Sequence, residues 1–145
     1  MTLTAPSTPA TGVSRWRRMV PPAAVAGGLA AATLALHLRD PHDQNSWGIC
    51  PTAAMGFSCP GCGGLRAVND LGNLQIGAAA SSNLLFVLSL PFIAYAFYRW
   101  AHGRWTGTPW SPSDRSLNRS AIILGVAMLV FTVLRNLPAG AWLAP

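Results

Sequence analysis

The stretch GAAASSNLLFVLSLPFIAYAFYRW, residues 77–100, decides the fold. After a start of small residues it is apolar for long enough to cross a bilayer, which takes about 20 residues. It ends on Arg99 and Trp100, a pair suited to a membrane–water interface. Pro91 inside it is tolerable, because neighbouring helices or water can satisfy the carbonyl it frees. Two further segments read the same way. Residues 21–38 are rich in Ala and Gly, with Thr33 and His37 as their only polar side chains. Residues 117–137 reach spanning length if Arg119 and Arg135 snorkel toward opposite surfaces.

Composition agrees. Over 145 residues, 51% are hydrophobic and only 10% are charged, against about one quarter in a soluble domain. That shortfall argues against a soluble enzyme, and the hydrophobic content argues against overall disorder. The net charge of +6 comes from ten basic residues, all Arg, and four acidic residues, all Asp. A pI near 10.7 raises nucleic acid as a partner, but the arginines have a topological reading. Arg15, Arg17 and Arg18 precede the first span, and Arg99, Arg104, Arg115 and Arg119 separate the second from the third. Arg39, Arg66 and Arg135 lie on the other side. The positive-inside rule then places the N-terminus in the cytoplasm, with the first loop and the C-terminus outside. All six Trp residues fall at span ends or in loops, as an interfacial belt requires. The expectation is an all-α, multi-pass bundle in a bacterial inner membrane, with the lipid bilayer as its partner and no nucleic acid.

The domain reading follows. Residues 1–19 form a Thr-, Pro- and Ala-rich disordered cytoplasmic tail, and residues 20–145 a single transmembrane domain with a cysteine loop over 39–76. Ala30-Ala31-Ala32 resembles a signal-cleavage site, but the apolar run continues past it. Leu65–Leu71 reads as a short helix stopped by Gly72, and the loop over 102–116 as irregular, with Ser113 capping the third span. Ala23, Gly27, Ala31 and Ala35 recur every four positions, a ridge suited to close helix contact.

The loop holds all three cysteines, in Cys50-Pro51 and Cys59-Pro60-Gly61-Cys62-Gly63. Three chemistries compete. The Cys-Pro-Gly-Cys-Gly turn has the form of a metal knuckle, in which two thiolates three residues apart converge on one ion. A Zn or Fe site would take Cys50, Cys59 and Cys62 with His42 as the fourth ligand, or Asp40, Asp43 or His37 in its place. Alternatively Cys59 and Cys62 form a redox pair with Cys50 as third sulfur. The N-terminus of the following helix and Arg66 would then favour a thiolate at Cys62. The third reading is a structural disulfide from Cys50 to Cys59 or Cys62. A c-type haem is excluded as a motif, because Gly63 stands where His is required.

These residues carry a resemblance. Cys50-Pro51, the run from Gly56 through Cys59-Pro60-Gly61-Cys62-Gly63 to Arg66-Ala67, and the later Arg135-Asn136-Leu137-Pro138 occur in order. The chain in this respect resembles a small prokaryotic membrane family catalogued as domain of unknown function 2752. Leu65 departs from the Thr usual before Arg66. The resemblance implies a multi-span membrane protein with a cysteine loop, and no activity.

Few polar groups remain. Arg66 and Arg135 need partners, for which Asp70, Asp40 or a lipid phosphate are the candidates, and a snorkelling Arg135 that fixes span depth is the simpler reading. Asn83, within the second span, reads as an interhelical hydrogen-bonding residue. Asn136 follows Arg135 at the end of the third. Four Asp residues supply little acid–base machinery. The expected function is a small accessory or scaffolding membrane protein, not a free-standing enzyme, with a cysteine-clamped outer loop. A membrane-protein partner or a second copy would share it. The alternative is an outer-face metal-binding or thiol–disulfide protein.

Overall fold

Ser14 opens the first helix by accepting a hydrogen bond from the Arg17 backbone N–H at 3.4 Å, the usual satisfaction of an orphan helix donor. Helix α1 runs Arg15–Leu38. A computed structural model describes residues 14–43, 52 and 55–143. The N-terminal tail up to residue 13 and Cys50 lie outside the described residues. Beyond α1 come α2 (Gly64–Gly72), α3 (Ile76–Thr106), α4 (Asp114–Arg135) and a 3₁₀ segment, Pro138–Leu143. Among the described residues there is no strand. Three helices, α1, α3 and α4, are long and apolar enough to cross a membrane. The fold class expected from sequence is therefore the one found.

The boundaries differ in instructive ways. Helix α3 continues through His102 and Gly103 to Thr106, where an irregular loop was expected. It stops only at Gly107, whose φ of 83° supplies the left-handed C-cap that ends many helices. Ser113 does cap α4, accepting from the Ser116 N–H at 3.3 Å. The kink in α3 lies at Asn83 (φ −159°, ψ 90°) and not at Pro91. The Asn83 side chain accepts from the Phe86 N–H at 2.9 Å, so Asn83 acts as an N-cap inside the helix. The portion after it, residues 84–106, is about 35 Å long at 1.5 Å per residue, close to one bilayer's hydrocarbon core.

The core sits at one end. Its buried side chains include Leu36, Cys62, Ala67, Asn69, Asp70, Ala79, Ser82, Asn83, Phe131, Arg135 and Leu143, and five of these are polar or charged. Helix α2 lies across α1 and α3 there, whereas α1 and α4 do not touch. The Ala23–Gly27–Ala31–Ala35 ridge is exposed, and a Cβ on Gly27 or Gly28 would meet nothing within 4 Å. Among the described residues, the close helix contact expected of that ridge is therefore not made. What joins the elements is a polar knot beneath the cysteine turn.

Candidate functional site: a clamped cysteine turn

The Cys59–Cys62 turn is built by local backbone bonds. The Cys62 N–H donates to the Cys59 carbonyl at 3.1 Å, and the Gly64 N–H to the Gly61 carbonyl at 3.0 Å. Gly63 then takes φ 78° as the residue before α2, a conformation that costs a side-chain-bearing residue roughly 1–2 kcal/mol. The two sulfurs lie 3.1 Å apart, and no disulfide joins them. Cys62 is buried, whereas Cys59 is half-buried.

Two distant segments hold the turn from below. Arg135 Nη1 donates to the carbonyl oxygens of Cys59 at 3.0 Å and Cys62 at 3.1 Å. Asn83 Nδ2 donates to those of Pro60 at 2.9 Å and Cys62 at 3.2 Å. Asn136 adds a two-way bridge: its Nδ2 donates to the Ser58 carbonyl and its Oδ1 accepts from the Ser58 N–H, both at 2.9 Å. Asn136 Nδ2 also reaches the Thr132 carbonyl at 2.8 Å. The backbone of residues 58–62 is thereby tied to α3 and to the end of α4.

Arg135 does not snorkel. It is 2% exposed, its guanidinium carbon lies 4.8 Å from the centre of the Phe131 ring, and Nε and Nη2 make no hydrogen bond. None of the expected partners, Asp70, Asp40 or a lipid phosphate, is needed to explain its place. A guanidinium offers several donors in a fixed fork, which lets one nitrogen serve two carbonyls of a tight turn.

Electrostatics at the turn favour an anionic sulfur. The hydrogen bond with Cys62 holds the Cys59 thiol below its ordinary range. Burial opposes this, and the Thr52 hydroxyl and the backbone N–H groups of Gly61 and Cys62 reinforce it. Thiolate character is what makes a cysteine nucleophilic or metal-ligating.

Residues 50–97 match the model of a family described as Protein of unknown function (DUF2752). Over this segment the chain is similar to that family. Comparison with curated proteins and with solved structures returns no match. The DUF2752 segment contains Cys59, Cys62, α2 and Asn83, but stops short of Arg135 and Asn136. The clamp thus joins the DUF2752 turn to residues beyond the match.

Other expected site residues are placed elsewhere. Arg66 donates through Nε to the Pro41 carbonyl at 3.4 Å, so it braces the 39–43 turn, and Arg135 takes the place beneath the cysteines. Asp70 is 2% exposed and accepts from the Ser82 hydroxyl at 2.8 Å. His42, the expected fourth metal ligand, has Nδ1 at 2.8 Å from Asp40 and Nε2 at 3.3 Å from Asp70. Its backbone N–H and ring hold the Asp40 carboxyl below the usual carboxylate range. Among the described residues no three His, Cys, Asp or Glu side chains converge as a metal site. Sequence reading missed Asn69, whose Nδ2 donates to the Leu36 carbonyl at 2.8 Å. That bond caps the end of α1 with a residue of α2.

Proposed function

We propose that this chain is an accessory protein of the bacterial inner membrane whose outer-face Cys59–Cys62 pair exchanges disulfides with a protein partner. The observation that carries this reading is the clamp. Arg135, Asn83 and Asn136 already fix the turn through its backbone, so the cysteines are not required as its staple. A half-buried Cys59 beside a buried Cys62 is the usual division between an attacking and a resolving thiol. The arginine distribution supports a cytoplasmic N-terminus, which puts the turn in the oxidising compartment where such chemistry runs.

The exchange balances as follows. The Cys59 thiolate attacks one sulfur of a partner disulfide, forming a mixed disulfide and releasing a partner thiolate that takes up a proton. The Cys62 sulfur, losing its proton to solvent, attacks Cys59 Sγ. The mixed disulfide breaks, releasing the partner's second sulfur as a thiolate that takes up a proton; the Cys59–Cys62 disulfide forms, and two electrons have passed to the partner. The test is trapping. Cys62→Ser in the full chain removes the resolving sulfur, so a partner should accumulate on Cys59 as a reductant-sensitive adduct. Cys59→Ser should abolish the adduct. Absence of any adduct, with stoichiometric zinc or iron in the purified wild type, would overturn the exchange reading in favour of a metal knuckle.

A further inference from the structure

At the end of the molecule opposite the cysteine turn, three segments bring seven arginines together. Arg15, Arg17 and Arg18 begin α1, Arg99 and Arg104 lie in the last turns of α3, and Arg115 and Arg119 begin α4. Among the described residues, none of these guanidiniums forms an ion pair. The acid on this end is Asp114. The charge also stands in a costly place. The first turn of α1 has no acidic residue, so its arginines add to the positive end of the helix macrodipole, where cations are unfavourable.

Aromatic rings interleave with the charge. The Arg15 guanidinium lies 5.0 Å from the Trp105 ring centre, and Trp16 meets Trp105 edge to face at 6.3 Å. Arg104 lies 5.6 Å from the Trp100 ring centre. The segment after Gly107 folds back on α3. It leaves a cleft of about 340 Å³ lined by Arg99, His102, Gly103 and residues 108–111, Trp110 among them.

We infer that this arginine–tryptophan end binds the phosphate groups of anionic phospholipids. Charge complementarity selects an anion, because seven guanidiniums without carboxylate partners gain most from a phosphate layer. The tryptophans, at the ends of spanning helices, select a membrane headgroup over a nucleic acid, since Trp sits at that depth of a bilayer. The Arg15 and Arg104 guanidiniums lie over tryptophan rings while remaining exposed, which suits contact with a headgroup oxygen. The inference concerns this end of the chain alone and does not depend on the thiol reading.

The test is native mass spectrometry of the full chain in detergent, titrated with phosphatidylglycerol or phosphatidylcholine. Phosphatidylglycerol should be retained with marked preference. Each arginine near a charged surface contributes about fivefold, so the triple change Arg15→Gln, Arg17→Gln, Arg18→Gln should weaken retention roughly 100-fold. Arg99→Gln with Arg104→Gln forms a second variant that leaves α1 intact. Arg39→Gln, at the other end, should leave retention unchanged, and circular dichroism should be unaltered throughout. Equal retention of the two lipids overturns the inference. So does full displacement by millimolar inorganic phosphate, or tighter binding of an oligonucleotide than of the lipid.

Discussion

Arg135 Nη1 donates to the carbonyl oxygen of Cys62 at 3.1 Å, across 73 positions of sequence. The relationship links the last turn of α4 to the cysteine turn and gives the molecule its polar core. Buried carbonyls of a tight turn need donors. The buried guanidinium at the end of α4 supplies them.

Replacing that group should be costly. Arg135→Met removes the charged donor from both the Cys59 and the Cys62 carbonyls, leaving the Cys62 N–H on the first and Asn83 on the second, and bonds to a charged donor are worth about 1.5–3 kcal/mol. We expect a loss of about 2–4 kcal/mol on that basis, read as a lower thermal midpoint in detergent. Arg135→Lys should recover only part of it, because an ammonium lacks the planar fork. A midpoint unchanged in Arg135→Met would count against the clamp.

Asn83 makes two kinds of bond, and they can be separated. Asn83→Asp keeps the cap on Phe86 N–H but loses the donors to Pro60 and Cys62. Asn83→Leu loses both. Hydrogen exchange should therefore quicken at the Phe86 amide in Asn83→Leu only. Alkylation of the cysteine turn should quicken in both variants. Equal protection of Phe86 in the two would refute the capping role.

The sign of the Cys59 pH dependence is fixed by the direction of its shift. The folded thiol ionises below its ordinary value of 9.0. The stability this adds is present in full above the unfolded pKa and is lost as pH falls through the folded one. Alkylation of Cys59 should accordingly rise at lower pH than alkylation of a free cysteine. Cys62→Ala should move the profile back up, since it removes the Cys62 bond, which is the largest cause. A profile identical to that of free cysteine would contradict this.

Two glycines give a paired steric test. A Cβ on Gly140 would run into the Leu134 carbonyl, whereas one on Gly27 meets nothing within 4 Å. Gly140→Ala should cost about 1–3 kcal/mol, the usual range for overpacking, and should loosen the 3₁₀ segment from α4. Gly27→Ala should be neutral or slightly stabilising. Thermal midpoints of the two variants, compared with wild type, decide it.

The long apolar helices were legible because hydropathy is a local property of the chain. So were the short helix before Gly72 and the Ser113 cap, each set by one or two neighbouring residues. The clamp was not legible. Arg135 and Asn136 stood out in sequence, and so did the cysteine turn, but nothing local joins residues 73 positions apart. Arg135 read as a snorkelling side chain because burial of an unpaired guanidinium is costly. The turn's carbonyls offset that cost, and they are invisible to side-chain pattern. Asn83 was recognisable as a hydrogen-bonding residue. Its partners, backbone atoms of the loop, were beyond reach for the same reason. The small-residue ridge of α1 misled, since spacing alone does not say whether a facing helix exists.

The most direct test of the thiol account is a redox titration of the purified full chain. Intact mass and peptide mapping after alkylation would be read across a series of glutathione buffers. The account predicts a reversible loss of two hydrogens confined to the Cys59–Cys62 peptide. It also predicts that Arg135→Met shifts the midpoint of that transition. A pair that stays reduced in every buffer, or sulfurs protected throughout by a stoichiometric metal ion, would contradict it.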